Sequence, residues 1–376
     1  YEKLIRKVFN ETDEFIDYKD IFYSITTNLT SSFDWYENIK RQICSLEIKI
    51  VSFDVFETLI QRPFLKPSDL FNFLSYEYNK NRSSFVDFKT IRIEAETQCR
   101  KKIALTRPSI EEITLDEIYD EIAAETVIPP ETLTRLKELE IHLELKFCQV
   151  RKTGKELYDL AFESGKKIIL CSDMYLPGEA VKEILKKNGY SGYQNLYLSS
   201  ELKKTKSQKS LFNHIKKDLG LKNGQSILHI GDNWVSDVEN SKACGWNSAH
   251  LPSSSDMFCG NNPGIYSGKS FSKIYLSNDR EFDYRNMIND FPSFNALLGM
   301  AANKIFDNPY QSFHPDSDFN CSPVYVGYYV VGFYLLGIVR WLEKIARERK
   351  IPTIHFVARD GFLPKLLQNV HPKFNT

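Results

Sequence analysis

Four short apolar runs punctuate the middle of the chain, and each hands over directly to side chains that carry chemistry. Lys49 to Phe53 ends at Asp54, and Lys167 to Cys171 ends at Ser172 and Asp173. Asn195 to Leu198 leads into Ser199, Ser200 and a lysine-rich turn, and Ser226 to Ile230 leads into Gly231 and Asp232. The β-branched and aromatic content of these runs suits buried strands. A fifth strand is expected over Ser248 to Leu251, and helical stretches such as Glu179 to Asn188 and Ser210 to Leu219 fill the intervals. Strand and helix in alternation make βαβ units, hence a parallel sheet. Ligands of such sheets sit beyond the carboxyl ends of the strands, where these polar residues stand.

The expected fold is α/β with a Rossmann-like parallel sheet, interrupted once. From Pro67 to Lys155, apolar residues recur at three- and four-residue steps, with breaks at Arg107-Pro108 and Pro129-Pro130. This block reads as a helical insertion (67–155) between the first strand (48–66) and the rest of the sheet (156–252). Residues 1–47 are read as an N-terminal helical segment, and the Ser-, Gly- and Asn-rich stretch 253–272 as a linker. The remainder to 376 is expected to be an incomplete C-terminal domain, a partial α/β region. In it, Pro323 to Val339 carries no charge, but it falls short of the ~20 residues of a membrane span. Glycines and tyrosines dilute the run, so a buried helix is expected and no membrane span. Ile351 to Ala358 reads as a further strand, followed by Arg359-Asp360-Gly361. Position 364 is Pro and no partner motifs follow, so Asp360 is given no catalytic role.

Composition removes several function classes. The 49 basic and 49 acidic side chains balance to a net charge of zero, which supplies no field for nucleic acid or an anionic membrane. Seven cysteines (Cys44, Cys99, Cys148, Cys171, Cys244, Cys259, Cys321) are scattered without a CxxC pair, as reduced thiols of a cytoplasmic protein would be. No signal peptide is recognised, and the start at Tyr1 leads us to expect further domains at the chain's ends.

The strand ends together supply a coherent chemistry. Phosphoryl transfer needs an in-line nucleophile, a cation on the phosphoryl oxygens and donors around the equatorial oxygens. Asp54 can serve as covalent nucleophile or hard-metal ligand, and Asp54 with Asp232 makes a plausible oxygen pair for Mg²⁺. Ser172 and an ammonium from Lys203, Lys204, Lys206 or Lys209 would hold a phosphate. Each group also has a plainer reading. Asp54 and Ser172 can cap helices, the lysines can form a solvated face, and Asp232 and Asp237 can be turn residues.

The four segments resemble the four motifs of the haloacid-dehalogenase-like (HAD) superfamily, chiefly Mg²⁺-dependent phosphatases that act through an aspartyl-phosphate. The first motif, a strand followed by DxDxT, is matched by Asp54-Val55-Phe56-Glu57-Thr58. Ser172 matches the second, and Ser199-Ser200-Glu201 through Phe212 the third, in a register that selects Lys206. Gly231, Asp232 and Asp237 match the fourth. The helical block occupies the place of that family's cap. More narrowly, FDVFETL, SDMYLP and FVARDGF are similar to bacterial HAD proteins linked to surface-polysaccharide genes.

The resemblance implies a hydrolase with Asp54 as nucleophile and metal ligand. Asp232 completes the Mg²⁺ site, with Asp237 as a further ligand or support and Phe56 contributing its carbonyl. Thr58 and Ser172 donate to phosphate oxygens, and Lys206 neutralises charge. One position departs from the motif. The family's general acid stands where this chain has Phe56, and a phenyl ring cannot donate a proton. Three readings stay open: a phosphatase for small phosphorylated substrates with good leaving groups or with an acid borrowed from the cap or Glu57; a dehalogenase-like hydrolase; and a module that binds a phosphorylated ligand or a protein partner. The acidic fourth motif favours the first over the second. Arg92, Glu94, Glu96 and Arg100 are expected to form a solvated helix face.

Overall fold

The computed structural model describes residues 35–222, 224–259, 292–309, 323–327, 331–355, 357 and 361. Five strands form one parallel sheet: β1 (Ile50–Phe53), β4 (Lys167–Ser172), β5 (Asn195–Leu198), β6 (Ile227–Gly231) and β7 (Asn247–His250). Their order is β5-β4-β1-β6-β7, so the first strand is central and the chain winds outward from it on both sides. Phe53 pairs in register with Leu170 on one neighbour and Ile230 on the other. Asp54, Ser172 and Asp232 therefore leave three adjacent strands at one edge, at the switch point of the topology.

All four residues of β1 are buried, because helices cover both faces of the sheet. Side chains alternate between the faces. Val51 and Phe53 join Leu170, Leu228 and Ile230 in the larger core. Ile50 joins Ile169, Ile227, Leu211, Phe212, Ile215 and Trp246 in the smaller one. Ser52 and His229 are buried among these apolar residues and satisfy each other, Oγ to Nδ1, at 2.9 Å.

Between β1 and β4 the chain makes helices Phe71–Asn79, Phe88–Thr106, Leu115–Glu125 and Pro130–Phe147 before helix Lys152–Glu163 returns it to the sheet. The helix limits follow local chemistry. Asp87 caps Thr90, Thr114 and Glu117 form a reciprocal capping box, and Pro130 occupies a first-turn position. Two short strands, β2 (Ile60–Gln61) and β3 (Gln149–Val150), pair antiparallel where the chain leaves and re-enters this helical layer.

Several expectations change. Arg92 is not on a solvated face; it is fully buried, donating to Glu140 at 3.0 and 2.8 Å with its guanidinium against the Phe71 and Tyr175 rings. A buried guanidinium needs acceptors for its five donors, and the Glu140 carboxylate, two helices further along the chain, supplies them. Residues 254–259, placed in the linker, form a helix instead. Residues 351–355 of the expected strand have no regular structure, and Ala358 and Asp360 lie outside the described residues. In the uncharged run from Pro323, Val339 is buried but Val324 and Tyr334 are exposed, so it is not a buried helix throughout. No helix among the described residues is long and apolar enough to cross a membrane. Of the N-terminal segment, 35–44 is helical, and 1–34 lie outside the described residues.

Candidate active site

Asp54 is the first residue past β1, and its amide donates to the Ile230 carbonyl at 2.9 Å, so sheet pairing continues to the carboxylate itself. The next turn folds tightly. Leu59 and Ile60 amides both return to the Val55 carbonyl at 2.9 Å, and Glu57 takes a left-handed φ of 60°. That conformation is uncommon for a residue with a Cβ and persists only where its surroundings impose it. Here the fully buried Arg151 donates to the Glu57 carbonyl at 2.5 Å.

Lys206 reaches the same place from the turn after β5. Its ammonium lies 2.6 Å from Asp54 Oδ1 and 2.5 Å from Asp237 Oδ1, and all three side chains are almost wholly buried. Of the four candidate lysines, 206 alone meets Asp54; Lys203 instead reaches Glu117 at 3.4 Å, up in the helical layer. Asp237 is fully engaged: Oδ1 also meets His229 Nε2 at 3.1 Å, and Oδ2 accepts from the Asn233 amide at 2.9 Å. It sits on a π-helical turn, Trp234–Glu239, of the kind frequent at functional sites. Thr58 donates to Asp232 at 3.4 Å.

Asp54, Asp232 and Asp237 offer oxygens within 4.8 Å of one another. Burial sets their proton affinities against the few charges available. It pushes Asp54 up to about 6 although Lys206 opposes it. Asp232 rises well above the carboxylate range through burial and the Asp54 and Asp237 charges. Asp237 goes the other way: burial resists, but Lys206 and His229 hold it low. Three carboxylates thus share the one Lys206 ammonium, which meets Asp54 and Asp237 and leaves Asp232 facing like charge. Hard oxygen donors lacking a matching positive charge are what a divalent cation such as Mg²⁺ fits.

Ser172 ends β4, buried at the same sheet edge, and Thr58 closes the turn after Asp54, fully buried. Phe56 lies between Asp54 and Thr58 with its ring in the larger core and the Arg62 guanidinium 4.5 Å from the ring centroid. Sequence reading missed His229 and Ser52, whose signal was faint: a histidine and a serine inside otherwise apolar strands. It also gave Asp173 no role. That carboxylate accepts the Lys206 amide at 2.8 and 3.0 Å and the Ser207 amide at 3.3 Å, holding the lysine's turn.

No known protein family matches the chain, and no curated protein does. Among solved structures it is similar to 2-haloacid dehalogenase from Pseudomonas syringae pv. Tomato DC3000, with 11% identity and a TM-score of 0.40, covering 61% of this chain and 97% of that one. A haloacid dehalogenase-like family hydrolase from Xanthomonas campestris gives 14% identity and a TM-score of 0.40, over 66% and 94% of the two chains. A HAD family enzyme from Bacteroides thetaiotaomicron, in complex with magnesium and inorganic phosphate, gives 14% and 0.36, over 55% and 95%. All three bear HAD names. Likenesses this loose leave function to be judged from the side chains themselves.

Proposed function

We propose that this protein is a Mg²⁺-dependent phosphohydrolase acting through an aspartyl-phosphate on a small phosphorylated substrate. The observation that carries the reading is the buried Lys206 ammonium, 2.6 Å from Asp54, beside a cluster of three carboxylates at the edge of the central strand. A purely structural lysine would need one carboxylate beside it rather than a cluster of three, whereas phosphoryl transfer needs a nucleophile and concentrated positive charge together.

In this reading Asp54 attacks phosphorus, forming an acyl-phosphate as the bond to the leaving oxygen breaks, and water then cleaves the acyl-phosphate to regenerate the carboxylate. With Lys206 on Oδ1, the attack falls to Oδ2. Lys206 balances the charge gathered on Asp54 and the phosphoryl oxygens, and Asp237, tied to His229 and Asn233, holds Lys206 in place. Thr58 and Ser172 donate to phosphoryl oxygens. Asp54, Asp232 and the Phe56 carbonyl would hold Mg²⁺, supported by Asp237. When bound, Mg²⁺ supplies charge on the phosphoryl oxygens in the transition state.

A second reading has its own observation. Phe56 is packed under Arg62 and offers no proton to a leaving group, so the site is also suited to holding a phosphorylated ligand without turnover. Hydrolysis of p-nitrophenyl phosphate, with and without Mg²⁺, in wild type and Asp54→Asn, separates the two, since nitrophenolate departs without a proton. Turnover that requires both Mg²⁺ and Asp54 is expected. Folded protein with no turnover above the Asp54→Asn variant would leave the binding reading.

A further inference from the structure

Two consecutive amides in the turn that carries Lys206 bond to carboxylates from different layers of the molecule. The Lys206 amide donates to Asp173, which follows β4 in the sheet. The Thr205 amide donates, at 2.8 Å, to Glu111. Glu111 stands in the loop 107–114 of the helical layer, between helices Phe88–Thr106 and Leu115–Glu125.

The Glu111 carboxylate does more than accept one amide. The same oxygen takes the Thr205 hydroxyl at 3.1 Å and the Ser210 hydroxyl at the far end of the turn. Its own amide donates to the Lys203 carbonyl at 3.3 Å. Residues 203, 205 and 210 are thereby tied to a single side chain and its backbone, and Lys206 lies inside that span. The turn needs the help: Lys203 and Lys209 both take left-handed φ values, 55° and 68°, without being glycine. Next door, Glu112 accepts the Ser199 hydroxyl at 3.0 Å, and Ser199 accepts the Met174 amide at 2.8 Å, joining the loop to both flanking strand ends.

We propose that Glu111 is a positioning residue for Lys206: through this carboxylate the helical layer sets where the ammonium stands against Asp54. The proposal rests on the reading of Asp54 and Lys206 as the reacting pair. Lys206 can span Asp54 and Asp237 at 2.6 and 2.5 Å only if its backbone is held, and displacements of about 1 Å near a reacting group cost up to about a hundredfold in rate. A helical layer joined this way does not swing freely over the site at this edge. Any movement of loop 107–114 is passed to the lysine.

Amide exchange and p-nitrophenyl phosphate kinetics on wild type, Glu111→Ala and Glu111→Gln test this. In Glu111→Ala, the amides of 203–210 are expected to exchange about tenfold faster or more while those of β1 and β4 keep their rates. In the same variant kcat falls about tenfold with KM changed by less than about threefold. Glu111→Gln keeps an acceptor oxygen and recovers most of kcat. Unchanged protection of 203–210, faster exchange throughout the protein, or an unchanged kcat in a loosened turn would each overturn the proposal. If wild type shows no Asp54-dependent turnover, the phosphatase reading fails on its own, and the exchange pattern alone decides whether Glu111 holds the turn.

Discussion

The guanidinium of Arg62 lies 4.5 Å from the centroid of the Phe56 ring, and the same arginine donates to Glu144 at 2.8 and 3.0 Å. The ring is 7% exposed and belongs to the larger core, so position 56 does structural work that a carboxylate could not do. Phe56→Ala is expected to cost about 3–5 kcal/mol, as for other buried rings, read as a drop in denaturation midpoint. Phe56→Leu should cost much less. A midpoint unchanged in Phe56→Ala would show that the ring is not packed as described.

Lys206 is the cation of the buried cluster. Removing one partner of a buried ion pair typically costs about 3–5 kcal/mol because the remaining charge is left uncompensated. Lys206→Met should therefore be markedly destabilised in metal-free buffer, with Asp54 and Asp237 left facing each other. Mg²⁺ should restore more melting temperature to this variant than it adds to wild type, because the cation replaces the missing charge. Activity should nonetheless fall about a hundredfold or more, since the ammonium is lost from the phosphoryl oxygens. Equal Mg²⁺ stabilisation of both proteins would place the metal elsewhere.

Proton competition gives the pH dependence. Burial pushes Asp54 up to about 6 and raises Asp232 as well, so in metal-free protein both take up protons more readily than an exposed carboxylate. A protonated carboxyl cannot ligate, so Mg²⁺ affinity should weaken as pH falls through about 6. Calorimetry in two buffers of different ionisation enthalpy would detect the protons released on binding. Asp237, held low by Lys206 and His229, should contribute none. An affinity flat from pH 5 to pH 8 would contradict the arrangement.

The sheet was legible because buried parallel strands are near-continuous apolar runs, and the runs at β1, β4, β5 and β6 all appear within a residue or so of their expected limits. Lys206 was legible from the family's motif register alone; by charge it is indistinguishable from Lys203, Lys204 and Lys209. What stayed hidden is pairing across long separations. Glu111 with Thr205, Arg92 with Glu140, and Ser52 with His229 are each ordinary polar residues until the fold brings them together. Periodicity assigned Arg92 to a wet face because it cannot see a partner two helices further along the chain. Residues 292–309 looked like part of a separate C-terminal domain, and nothing in their composition announced that they return to the core.

That return gives the sharpest prediction of sign. Helix Pro292–Ile305 and the residues after it lie across both points where the chain passes between sheet and helical layer. Asn303 donates to the Arg62 carbonyl at 2.7 Å on the outgoing passage. Asp307 accepts the Lys152 and Thr153 amides at 3.0 Å on the returning one. Gly299 makes the close approach possible: a Cβ there would stand 2.4 Å from the Phe64 carbonyl carbon and 2.7 Å from the Leu65 nitrogen, both backbone atoms that cannot step aside. On helix propensity alone, Gly299→Ala should stabilise a helix by about 0.5–1 kcal/mol. The clash reverses this, and overpacking against fixed backbone costs about 1–3 kcal/mol. Gly299→Ala should therefore lower the melting temperature and expose 292–309 to limited proteolysis, and Asp307→Ala should do the same through loss of the helix cap. A more stable, protease-resistant Gly299→Ala would mean that this helix does not lie against Phe64 and Leu65.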